Sequence, residues 1–136
     1  MKSTLIPGVV ASREFDVDRE RTIDFMGEQA RVYATPMLVR DIEVTCREML
    51  LEHLDAGEDS VGTRVELDHL APTLLGMKVK IEVKLAELKG RAATFDITAH
   101  DGVDAVGRGR HARFIVEIDK TKARLQKKRA STAAIA

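Results

Sequence analysis

Tryptophan is absent from this 136-residue chain, tyrosine occurs once and phenylalanine four times. So few aromatic rings leave no surface on which unpaired bases could stack in series. The core must therefore be built from Val, Ile, Leu, Met and Ala. A single cysteine, Cys46, excludes an internal disulfide framework and fits a reducing compartment. Charge of one sign is missing too: 22 basic and 22 acidic side chains cancel. The chain as a whole thus has no field to attract nucleic acid or an anionic membrane, and neither is expected as a partner. No apolar run approaches the roughly 18–20 residues that span a bilayer. The opening MKSTLIPGVVASREF meets charge early and lacks the apolar stretch of a secretion signal. The expectation is a cytoplasmic protein.

What remains is a chain sized for one domain, residues 1–136, around one core. That core is modest, and a sheet covered on one side gains from a second copy, so a homodimer is expected, with pairing of dimers into tetramers open.

Residues 8–16 have strand character, and residues 22–34 read as a loop with one helical turn. Thr35-Pro36 is a helix start, because threonine caps well and proline at the first helical position loses no hydrogen bond. The helix is expected to run to about Leu54, before Gly57. Val39, Ile42, Cys46, Met49, Leu50 and His53 fall on its apolar side, with Asp41, Thr45, Glu48 and Glu52 opposite. Period-two alternation then predicts strands over 62–70, 77–89, 91–100 and 103–118, with a hairpin at Asp101-Gly102 and a bend or bulge at Gly107 and Gly109. From Lys120 to residue 136 the chain is a basic tail, read as solvated and frayed over STAAIA, or as steering substrate phosphates. A strand, one long helix and four antiparallel strands make an α+β fold. Its economical packing lays the helix on the concave side of a curled sheet, the hotdog architecture.

Two titratable groups break the apolar pattern. Glu43 lies between Val39, Cys46 and Leu50 on the helical wheel, where a carboxylate must be paired, hydrogen-bonded or neutral, or must snorkel at the margin. His69 continues the Val65 and Leu67 series toward the core. His53, His100 and His111 are less informative. No histidine pair has zinc spacing with a third ligand, so neither metal nor cofactor is expected. Thr35 is explained as a helix cap, yet its hydroxyl would lie beside free N–H groups that favour an oxyanion. Eight residues separate it from Glu43, roughly 12 Å along a helix axis.

Val32-Tyr33-Ala34-Thr35, then Glu43, Val61-Gly62-Thr63 and Asp68-His69 together resemble the fluoroacetyl-CoA thioesterase group of hotdog proteins. Ala99-His100-Asp101-Gly102-Val103-Asp104, with Gly107, Gly109, His111 and Arg113, extends the resemblance, which covers about residues 32–128. It implies a dimeric hotdog that hydrolyses thioesters. The implied catalytic set is Thr35, Glu43 and His69 at a dimer-interface pocket, with Gly62 on the oxyanion side and Arg113 nearby. The lid positions, phenylalanines in the fluoroacetyl-specific pattern, here hold Met26 and Gln29, and Pro36 and Arg40 replace smaller residues. The implied substrate is therefore a small or medium acyl-CoA rather than fluoroacetyl-CoA in particular. The alternative is a hotdog that binds acyl-CoA as sensor or carrier without hydrolysing it.

Overall fold

A computed structural model describes residues 1–133. Strand β1 (Val10–Asp16) precedes helix α1 (Thr35–Leu51). Strands β2 (Glu58–His69), β3 (Lys78–Lys89), β4 (Ala92–His100) and β5 (Ala105–Glu117) follow, and helix α2 (Ile118–Ala133) comes after them. The strands form one sheet in the order β1-β3-β4-β5-β2, every neighbour antiparallel. The expected α+β hotdog arrangement is what the chain adopts, with two short 3-10 turns, Arg19–Arg21 and Glu28–Ala30, between β1 and α1. No helix among the described residues is long and apolar enough to cross a membrane.

The alternation that predicts β3 is the alternation that packs it: Val79, Ile81, Val83 and Leu85 are all buried. They meet Leu38, Ile42, Cys46, Met49 and Leu50 of α1, and Phe95 and Ile97 of β4 complete a core that is mainly aliphatic but also takes in Phe15 and Tyr33. Cys46 is enclosed there, its thiol pushed up to about 12 by burial, and is chemically quiet.

Four expectations need correction. Helix α1 stops at Leu51 rather than Leu54. Asp41 and Thr45, placed on its solvated face, are buried, because the segment leading into α1 folds back over that side. Asp41 takes a bidentate hydrogen bond from Arg21, at 2.9 and 3.1 Å, and one from the Tyr33 hydroxyl at 2.5 Å. The bend or bulge expected at Gly107 and Gly109 is found beside the first alone: the β4–β5 register shifts between the pairs Ala99–Gly107 and His100–Ala105, while both ladders run in register past Gly109. Gly109 is needed because a Cβ there would collide with the Glu66 carbonyl, and one on Gly107 would press on Leu38 Cδ2 at 3.2 Å. The basic tail is not an irregular segment but α2, which takes in the first residues of STAAIA; residues 134–136 lie outside the described residues.

The bulge that matters falls at Thr63, where the β2–β5 register shifts between Gly62 and Arg64. An extra residue reverses which positions face inward. Gly62 pairs with Arg113 before the bulge and Val65 with His111 after it. Without that step, Gly62 and His69 would lie on opposite faces of the sheet.

Candidate active site

The predicted residues gather in two clusters, at the two ends of β2. In the first, α1 begins at Thr35 itself, with Ala34 as the cap residue and Pro36 in the first turn. Thr35 is thus not the N-cap, and its hydroxyl makes no capping bond. It lies instead 2.7 Å from Nδ1 of His69, the last residue of β2. With Met37 and Leu38 both bonded to the Ala34 carbonyl, and Pro36 lacking an N–H, the Thr35 amide is the first-turn donor left for a ligand. Burial holds the His69 imidazole below its usual 6.5, favouring the neutral form. Its Nε2 is buried and has no partner among the described residues, which leaves it open to a ligand. The Tyr33 ring meets the His69 ring edge-on at 6.2 Å.

These residues line a groove of about 370 Å³ whose other walls include Ile23, Phe25, Val32 and Leu70. Its lining is largely apolar, as an acyl chain requires. Neither Met26 nor Gln29 lines it; both are exposed, and Phe25 is the aromatic at its rim.

The second cluster surrounds Glu43. Its Oε1 lies 3.7 Å from Arg113 Nη1 and 4.0 Å from His111 Nε2, and it fills the space a Cβ on Gly62 would claim. Arg113 is itself locked, donating to the Ser60 hydroxyl and carbonyl at 2.8 Å each. His111 Nδ1 lies 2.8 Å from the Arg64 carbonyl, which can only accept. Nδ1 therefore carries the proton, and Nε2 accepts from Arg113 at 3.2 Å. Burial first, and then Arg113, hold His111 below its usual value and keep it neutral. Ser60 has no signal in the sequence, and His111 enters there only through the resemblance and as one of the less informative histidines. The usable signal was parity, since His111, Arg113 and Ile115 share one face of β5.

Thr35 and His69 thus come together, as do Glu43, Gly62 and Arg113, but the two groups stay apart. Gly62 and His69 are seven residues apart on β2, roughly 23 Å at strand rise. The two clusters differ in chemistry: a hydroxyl, an imidazole and a helix-end amide in one, a carboxylate beside an arginine in the other, groups of the kinds that acyl transfer can use.

The fluoroacetyl-CoA-specific thioesterase family matches residues 17–119. The chain is 30% identical to the fluoroacetyl-CoA thioesterase of Streptantibioticus cattleyicolor, over 94% of this chain and 97% of that one. Among solved structures, a variant of the fluoroacetyl-CoA-specific thioesterase FlK superposes with a TM-score of 0.85 at 29% identity, covering 93% of this chain and 99% of that one. A Thermus thermophilus member of the thioesterase superfamily gives 0.87 at 28% identity, covering 97% and 98%. With the matched fold and the matched span both in place, the chain belongs to the fluoroacetyl-CoA-specific thioesterase family, a group of thioester hydrolases built on the hotdog fold.

Proposed function

We propose that this chain hydrolyses the thioester of a small or medium acyl-CoA, at a site completed between two copies of the chain. The observation that carries this reading is the division of the chemistry: Thr35 and His69 at one end of β2, Glu43 at the other, all on one face. Strand β2 is an edge of the sheet, twelve residues long, with Val61 and Val65 exposed. So long an unpaired edge is a template for a second strand. Antiparallel pairing of two β2 strands about a two-fold axis sets the His69 end of one beside the Gly62 end of the other. Glu43 of one copy then faces Thr35 and His69 of the second.

In the completed site the acyl chain lies in the apolar groove, and the carbonyl oxygen meets the Thr35 amide and hydroxyl. Glu43, steadied by Arg113, supplies the carboxylate that adds to the thioester carbon or drives water onto it. Neutral His69 accepts a proton from the hydrolytic water and passes it to the departing thiolate. Phe25 at the groove rim, with Met26 and Gln29 outside it, supports a general acyl specificity.

Mixed dimers test the shared site. His69→Ala and Glu43→Ala should each be inactive alone, but a mixed dimer would keep one complete site, so random mixing should restore about a quarter of wild-type thiol release. No restoration on mixing would rule out a site shared between copies. Acyl-CoA binding by the wild-type protein without any thiol release would instead favour the non-catalytic sensor or carrier.

A further inference from the structure

The cations of α2 are the largest charged feature that the site leaves unused. Six of the chain's 22 basic residues and one of its 22 acidic residues lie in Ile118–Ala133. The rest of the chain is left with sixteen cations against twenty-one acids. The overall neutrality is therefore a separation of charge, a helix of net +5 on a body of net −5. Lys120, Lys122, Arg124, Lys127, Lys128 and Arg129 are all exposed. Of these six, only Lys120 has a carboxylate of the described residues within ion-pair reach, Glu117 at 3.1 Å.

At helical spacing Lys120, Arg124, Lys127 and Lys128 share an arc of about 100°, spread along roughly 12 Å of axis. Like charges three and four residues apart repel and weaken the helix. Nor does α2 have an apolar stripe to compensate: Leu125 is 56% exposed. A row of cations held out in water in this way is stabilised by a polyanion.

The topology says which polyanion. Helix α2 starts where β5 ends, anchored by the Ile118 N–H on the Gly57 carbonyl at 2.9 Å, beside the first residue of β2. Within one chain that root is far from His69, which ends the same strand. The β2–β2 pairing proposed above brings it to the mouth of the Thr35–His69 groove of the other copy. We infer that Lys120, Arg124, Lys127 and Lys128 form a binding surface for the phosphate groups of the coenzyme A portion of a substrate whose acyl end occupies the other copy's groove. The inference rests on the proposed site, and acyl-pantetheine, which carries the thioester but no nucleotide, separates the two.

The test compares wild type with a variant carrying Lys120→Gln, Arg124→Gln, Lys127→Gln and Lys128→Gln; glutamine keeps helix propensity while removing charge. Acyl-CoA and acyl-pantetheine with the same acyl group are assayed at two ionic strengths. The expected result is that wild-type KM for acyl-CoA rises severalfold between about 0.05 and 0.5 M salt, and that the preference for acyl-CoA over acyl-pantetheine falls about tenfold in the variant. Calorimetry should show the variant losing affinity for free coenzyme A, and wild type binding 3′-dephospho-coenzyme A more weakly than coenzyme A. An unchanged preference and unchanged coenzyme A affinity in the variant would overturn the inference and leave the site standing. Failure of wild type to hydrolyse either substrate would overturn both. A duplex oligonucleotide that binds α2 without displacing coenzyme A would also overturn it, in favour of a nucleic-acid surface.

Discussion

The Glu43 carboxylate occupies the space that a side chain on Gly62 would fill: a Cβ built there would collide with Glu43 Oε1, and would stand 3.3 Å from His111 Cε1. The obstructing atom is the end of a flexible, half-exposed side chain, so the fold can yield while the site cannot. Gly62→Ala is accordingly expected to keep its melting temperature within a few degrees and to lose about 100-fold in kcat/KM, the usual cost of misplacing a reacting group by an ångström. Calorimetry and a thiol-release assay together decide it; an active Gly62→Ala protein would separate Glu43 from the chemistry.

A buried imidazole, His111, and a partly buried one, His69, make an acid-sensitive protein. His69 and His111 both lie below the usual 6.5, for which burial is the leading cause. A histidine depressed in the folded state takes up its proton more readily when unfolded. The stability it contributes is therefore complete above pH 6.5 and declines as pH falls from there through the folded-state value. The melting temperature should drop between about pH 7 and 5, and His111→Gln should flatten that slope. Hydrolysis, if His69 works as the neutral base, should keep its acidic limb below pH 6.5, and that limb should vanish in His69→Gln.

How much of this was legible in the sequence depended on the length scale of the interaction. Strand β3 and the apolar side of α1 were readable because each pattern repeats within a single element. Glu43 and His69 stood out because each put a titratable group into such a pattern. Asp41 was misread for the same reason: its neighbours on the helix are polar, and what buries it, Arg21 and Tyr33, comes from a loop with no periodicity. Thr35 was read as a cap because local chemistry favours that role, whereas its partner His69 lies 34 residues away. The Thr63 bulge had no signal in β2, since a register step is settled by the pairing strand.

Asp41 offers a direct test of that loop. Its carboxylate is fully enclosed and receives both Arg21 donors and the Tyr33 hydroxyl. Tyr33 in turn touches His69 edge-on and precedes Thr35 by two residues. Asp41→Ala leaves the Tyr33 phenol without its acceptor and the Arg21 guanidinium with Asp18 alone, at 2.9 Å, and should cost about 3 kcal/mol in urea unfolding, the low end for a broken buried pair. Tyr33→Phe removes one hydrogen bond and should cost about 1–2 kcal/mol. Because Tyr33→Phe keeps the ring against His69, KM should stay near wild type. A loss of stability below 1 kcal/mol in Asp41→Ala would show that the loop is not held by this network.

The remaining choice is which atom attacks the thioester, and the geometry favours Glu43 over Thr35. A threonine hydroxyl attacks only after giving up its proton, and a histidine depressed by burial is a weak acceptor for it. A carboxylate needs no such transfer, and Arg113 at 3.7 Å holds it in place. Glu43→Gln should lower kcat about 1000-fold, whereas Thr35→Ala, which removes an oxyanion contact but leaves the helix-end amide, should lose about 100-fold. Turnover in ¹⁸O-labelled water separates direct attack from water activation. If Glu43 forms a covalent anhydride that water then opens at the enzyme carbonyl, label enters the Glu43 side chain, and peptide mass spectrometry should find it there after several turnovers. Label confined to the released acid, with the same ordering of variants, would exclude opening at the enzyme carbonyl and leave water delivered to the acyl carbon as the hydrolytic step. Wild-type turnover in Glu43→Gln would remove Glu43 from the reaction.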